Sequence, residues 1–256
     1  MLLLAVTAPA AASPSAAADI PQIAQRQRAE KRSFTDEQIL DGFFKTAFGA
    51  EYHLAGRIDR IRKYEAPVRV FIDGASFKKR RIQLGKIIGD IGKRIQHLDI
   101  AEVGAREAAN VVVTLVRDRD LNRTIAKLYG AEKAREIQTS LDPQCLSGFS
   151  KNEKFQIGRS EVLLTVDNGD FVFHDCAYEE LLQSLGPIND TETIPWTMFN
   201  DDVSMGFFDI YDQYLLNILY DPRIKAGMSV QEAREVLPAV LKDVRDWVAK
   251  TNGLPQ

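Results

Sequence analysis

The chain is poor in the residues that carry most metal and nucleophile chemistry. Across 256 residues it has three His, two Cys and four Met. So few histidines exclude a His-rich metal tract, and two cysteines exclude a zinc site built from four thiolates. Charge of either sign is also not in excess: 33 Lys and Arg against 36 Asp and Glu leave a formal net charge of −3. Nucleic-acid binders usually carry a basic face, so nucleic acid is not an expected partner. The run Lys78-Lys79-Arg80-Arg81 is the local exception and reads as a solvated helix start. After the N-terminus no segment has the roughly 18 apolar residues that a spanning helix needs, so no transmembrane span is expected. No internal repeat is visible.

The residues that are present begin with an export pattern. Leu2-Leu3-Leu4-Ala5-Val6 is apolar and Ala16-Ala17-Ala18 has the small-residue pattern of a cleavage site, so residues 1–18 read as a signal peptide. A charged segment before the apolar run is missing. The expected location is periplasmic or secreted. Cys145 and Cys176 are an even pair in a chain read as exported, which favours a disulfide. Closing a loop of about 30 residues stabilises a fold by roughly 3 kcal/mol in the chain-entropy picture.

Periodicity divides the rest of the chain. Residues 19–32 read as a polar linker, residues 33–251 as a single domain and residues 252–256 as a tail. Thr35-Asp36-Glu37-Gln38 offers caps for a helix through Phe48, with Ile39, Leu40, Phe43 and Phe44 on its apolar side. Val68–Ile72 alternates as a strand, and a helix is expected from about Phe77 to His97, bent or broken by Gly85, Gly89 and Gly92. Asn110–Val116 is an apolar run expected to be a buried central strand. Asp118–Ser140 reads as helix, broken at Gly130. Phe155–Val166 and Asp170–His174 read as two strands joined by the turn Asp167-Asn168-Gly169. Phe207–Tyr220 and Ser229–Thr251 read as closing helices.

The segment Glu179-Glu180-Leu181-Leu182-Gln183-Ser184-Leu185-Gly186-Pro187-Ile188-Asn189 has the spacing of a zinc-protease helix. The metzincin pattern is H-E-x-x-H-x-x-G-x-x-H followed by a Met-turn. Residues i and i+4 of a helix share a face, so two His at that spacing hold one zinc and the adjacent Glu holds the attacking water. Here Glu179 and Gln183 stand at the first two His, Glu180 at the catalytic Glu and Asn189 at the third His. Gly186 keeps the glycine, Pro187 fits a helix stop, and Met198 lies where a Met-turn would. None of His53, His97 and His174 stands at a ligand position, and the amides Gln183 and Asn189 are poor zinc ligands. The bland alternative is an ordinary amphipathic helix with its polar residues in water.

The run Cys176-Ala177-Tyr178-Glu179-Glu180-Leu181-Leu182-Gln183, then Leu185-Gly186 and Asn189-Asp190, resembles the bacterial domain-of-unknown-function family 2927. Phe199-Asn200-Asp201-Asp202, Leu219-Tyr220-Asp221-Pro222-Arg223 and Gly227-Met228 extend the resemblance, which runs from about Phe34 to Trp247. The resemblance implies an exported protein with no established activity, in which the E-E-x-x-Q pattern is native rather than decayed.

The expected architecture is α+β, a metzincin- or zincin-like mixed sheet with packed helices and an N-terminal helical extension. On it, Glu179, Gln183, Asn189, Asp190, Asn200, Asp201 and Asp202 would gather as an oxygen-rich binding cluster. Either they form a structural hydrogen-bond network, or they hold a hard cation of the Ca²⁺ type, which suits oxygen donors better than zinc. The favoured function is a non-catalytic exported protein that binds a peptide or envelope component, with no cofactor. The alternative is a peptidase-like hydrolase with Glu180 as general base, metal-dependent or metal-free.

Overall fold

The computed structural model describes residues 20–48, 59–141, 144–187 and 189–255. The signal-peptide reading and His53 fall outside the described residues. Helices α1 (Pro21–Ala29) and α2 (Asp36–Ala47) lead into strand β1 (Val68–Asp73) and helix α3 (Lys78–Arg94). Strands β2 (Ile100–Glu102) and β3 (Val111–Val116) follow, then helices α4 (Asp118–Tyr129) and α5 (Ala131–Leu141). Strands β4 (Cys145–Lys151) and β5 (Ile157–Thr165) precede helices α6 (Asp170–Gln183), α7 (Ile210–Tyr220) and α8 (Val230–Asn252).

The strands form one five-stranded sheet in the order β2-β1-β3-β5-β4, parallel except for β4, which runs antiparallel to β5. β3 sits at its centre, where its run of Val and Leu is covered on both faces. Strand side chains alternate between faces. Val111, Val113, Leu115, Val162 and Leu164 therefore join the main core with α2, α3, α6, α7 and α8. Val116 and Leu163 point the other way and pack with Leu121, Ile125 and Ile137 of α4 and α5. The fold is thus mixed α+β, with helices on both faces of a mostly parallel sheet.

Several expectations need correction. The stretch read as a linker contains α1, whose Ile23 is completely buried; a single large apolar residue in this nonamer leaves too little periodicity to see. α3 is unbroken despite its three glycines, and Gly92 leaves room for Ile100, whose Cγ2 would lie 2.9 Å from an added Cβ. Asp170–His174 is not a strand. It is the first turn of α6, and Asp167-Asn168-Gly169 joins a strand to a helix, with Gly169 at φ +97°. β5 finds its hairpin partner on its other side, in β4, which Ser147 and Gly148 kept from resembling a strand. The basic run is not merely solvated. Arg80 is buried, donating to the Val166 carbonyl at 2.9 Å and to Asp170 Oδ1 at 2.7 Å.

The segment between α2 and β1 also buries charge. Lys63 donates to the carbonyls of Leu219 and Ile224, each at 2.8 Å, closing the C-terminal end of α7. Burial lowers its ammonium to about 8.

Candidate functional site

Helix α6 is buried almost all round, with Glu180 and Gln183 each 6 % exposed. An amphipathic surface helix with its polar side in water is therefore ruled out. Both of its ends are fixed. At the start, Lys79 and Arg80 of α3 grip Asp170, whose carboxyl is lowered by the Lys79 hydrogen bond first. Nearly two turns later a disulfide joins Cys176 to Cys145 of β4, with Cα atoms 5.9 Å apart, as the sequence led us to expect. At the far end, Ser160 of β5 donates to the Ser184 carbonyl at 2.9 Å, and Tyr220 of α7 donates to the Leu185 carbonyl at 2.9 Å.

Gly186 then takes φ +144°, a backbone region that side chains disfavour. A Cβ there would lie 2.3 Å from the Arg62 carbonyl oxygen. The glycine therefore sets both the direction of the chain and its close approach to the segment before β1.

This turn brings the following loop back onto α6. Glu179, Asp190 and Asp201 place one carboxylate oxygen each within 4.8 Å of one another. Gln183 is the bridge: its Nε2 donates to Asp190 Oδ1 at 2.8 Å, and its Oε1 accepts from Ser147 Oγ of β4 at 3.4 Å. Burial raises the Glu179 carboxyl well above the ordinary range, and the nearby charges of Glu180, Asp190, Asp175 and Asp201 push it the same way.

Other expected members lie elsewhere. Asn189 faces away, donating to the Lys45 carbonyl at 2.7 Å and tying the loop to α2; Asp190, one residue on, takes the place expected of it. Asn200 is structural, donating to the Ile194 carbonyl at 2.9 Å and accepting from the Asp202 N–H at 3.0 Å. Asp202 is exposed. Glu180 is buried beside Glu179, close enough to Tyr129 of α4 to add to the rise of that phenol to about 12, which burial dominates. Met198 is 2 % exposed in the main core, and its N–H donates to Asp212 Oδ2 at 2.7 Å.

Three participants escaped the sequence reading. Asp175 lies one turn before Glu179 and accepts from the Gly206 N–H at 2.8 Å, holding the far end of the loop; its i, i+4 spacing to Glu179 was a usable signal. Ser147 sat in an unrecognised strand. Asp212 sat within an apolar helix pattern that marked only core.

The donor set is oxygen, from three carboxylates and an amide. Hard cations accept such donors, whereas zinc favours imidazole and thiolate, and no His is among the three clustered acids. A protonated amine or guanidinium would satisfy the same oxygens.

A family model described as "Protein of unknown function (DUF2927)" matches residues 36–239. No curated protein and no solved structure matches the chain.

Proposed function

Since the chain belongs to the DUF2927 family, whose description assigns no activity, we propose a role from the site itself. The protein is an exported, periplasmic or secreted, non-catalytic binding protein on a metzincin-like scaffold. Its cleft takes a peptide or cell-envelope component through a cationic group. The observation that carries this reading is the commitment of Gln183. The residue in the place of a second zinc ligand is already bound on both sides, to Asp190 and to Ser147. The acids gathered around Glu179 would favour a positively charged group there. Support for the scaffold comes from an antiparallel β4–β5 hairpin immediately before α6, from the bend at Gly186 and from the buried Met198.

A second reading is favoured by the three clustered carboxylate oxygens. In it Glu179, Asp190 and Asp201 hold a Ca²⁺-type cation, and Glu180 serves as general base of a peptidase-like hydrolase.

Elemental analysis of the purified protein, a broad peptide-cleavage screen and an array of cationic and acidic peptides separate the two. The binding reading expects no stoichiometric metal, no turnover, and retention of cationic peptides that Glu179→Gln abolishes. Stoichiometric metal with Glu180-dependent cleavage would overturn it in favour of the hydrolase.

A further inference from the structure

A second pair of acids lies at the start of α7, sealed from water. Asp209 is 1 % exposed and Asp212 is not exposed at all. Asp209 caps the helix, its Oδ1 accepting from the Asp212 N–H at 3.0 Å. Asp212 reaches the other way: Oδ1 accepts from Thr197 Oγ1 at 2.5 Å and Oδ2 from the Met198 N–H at 2.7 Å. Both acids sit at the first turn of α7, the Asp209 carboxyl against the Asp212 backbone, and each influences the other's ionisation. Among the described residues no Lys, Arg or His forms an ion pair with either acid. Asp209 Oδ2 is buried without a donor.

Two ionised carboxylates cannot share such a place without a large cost, and one proton between them removes it. Placing that proton on Asp209 Oδ2 accounts for the buried oxygen that lacks a donor, since a protonated Oδ2 becomes a donor itself and Asp212 is the neighbouring acceptor. Asp212 keeps its charge, which its Thr197 and Met198 donors satisfy.

We propose that Asp209 and Asp212 are a proton-dependent latch: neutral Asp209 donates to Asp212, and loss of that proton releases the Thr197–Met198 loop from α7. The latched loop lies between Asp190 and Asp201, so the latch sets the geometry of the acid cluster against α6. Burial raises both carboxyls, most strongly that of Asp209.

The charged and titratable groups facing the pair come from several elements. Glu30, after α1, accepts from the Ile210 N–H at 2.6 Å and is itself influenced by Arg32 and by Arg94 of α3. Asp41 of α2 acts on Tyr211, whose phenol burial pushes up. Lys31 lies over the Trp196 ring, 3.8 Å from its centre.

The test reads the loop directly. The chain has two tryptophans, Trp196 and Trp247. Fluorine NMR of the intact 5-fluorotryptophan protein follows Trp196 separately, with the resonances assigned by Trp247→Phe. Spectra are recorded from about pH 5 to about pH 10, spanning the range in which a buried carboxyl titrates, while circular dichroism monitors folding.

In the native chain the Trp196 resonance is expected to move with a one-proton transition before unfolding. In Asp209→Asn, whose amide donates to Asp212 at every pH, the transition is expected to vanish at the latched position. Asp212→Asn, which loses an acceptor for Met198, is expected to show the released position throughout. Lys31 is present in both the native chain and Asp209→Asn, so it cannot produce the difference. An unmoving Trp196 resonance in the native chain, or the same transition in Asp209→Asn, would overturn the latch.

Discussion

Two groups of acids, one half-buried beside α6 and one sealed at the start of α7, are met by their surroundings in opposite ways. Asp209 and Asp212 are met by a hydroxyl and two N–H groups from within the chain, so that site is closed and serves the fold. Glu179 is surrounded instead by the acids Glu180, Asp190, Asp175 and Asp201, and the cluster opens toward exposed Asp201. Burial alone therefore does not mark a binding site. What distinguishes the group beside α6 is that several carboxylates, from the helix and from the loop that folds onto it, raise the Glu179 carboxyl together.

The comparison is broken most strongly at Gly186, which aligns the cluster loop. Gly186→Ala is expected to cost roughly 4 kcal/mol, from positive-φ strain and an overlap with the Arg62 carbonyl. Chemical denaturation measures it, and a loss no greater than that of Glu179→Ala would show that the turn does not depend on glycine.

Reduction of Cys145–Cys176 ranks next, at about 3 kcal/mol. Thiol titration of oxidised protein should find no free thiol, and the melting temperature should fall after reduction. Two reactive thiols before reduction would remove the clamp between β4 and α6.

Asp212→Asn attacks the closed site and should cost about 2 kcal/mol, since an amide donor would then face the Met198 N–H. Denaturation at several pH values should find that loss throughout, whereas Asp209→Asn should cost little at acid pH.

The smallest effect is expected at the open site. Glu179→Gln replaces a carboxyl whose ionisation its neighbours resist, and should stabilise the free protein by about 1 kcal/mol or less once the pH is high enough to ionise Glu179. Glu179 and Asp209 have raised carboxyls. Their contribution is complete below the unfolded value near 4 and is lost as pH rises through the folded value. Asp170 and Asp221 are lowered and act oppositely, losing their contribution as pH falls below about 4. The melting temperature should therefore be greatest in mild acid and decline toward alkaline pH. A maximum on the alkaline side would contradict this sign.

Much of this fold was legible because its signals were local. The Thr35 capping box forms, Asn110–Val116 contains the central strand, and Gly130 divides α4 from α5 at φ +86°. Other errors came where tertiary contacts overrode local pattern. The Asp167-Asn168-Gly169 turn resembled a hairpin, yet Lys79 and Arg80 fix Asp170 at a helix start. The site was legible in Glu179, Gln183, Asp190 and Asp201, because helical spacing and the Gly186 turn bring them together. Asn189 was assigned by spacing alone, and its bond to Lys45 depends on where α2 packs. Ser147 was hidden because an edge strand rich in Ser and Gly carries little apolar alternation.

The account rests on Glu179 being buried among other carboxylates. Carbon-13 NMR of its carboxyl, assigned with Glu179→Gln, measures this directly in metal-free protein. The account predicts a midpoint well above that of free glutamate, near 4.3, falling when a cationic peptide from the array is bound. A midpoint at the ordinary value, unmoved by cationic ligands, would contradict it.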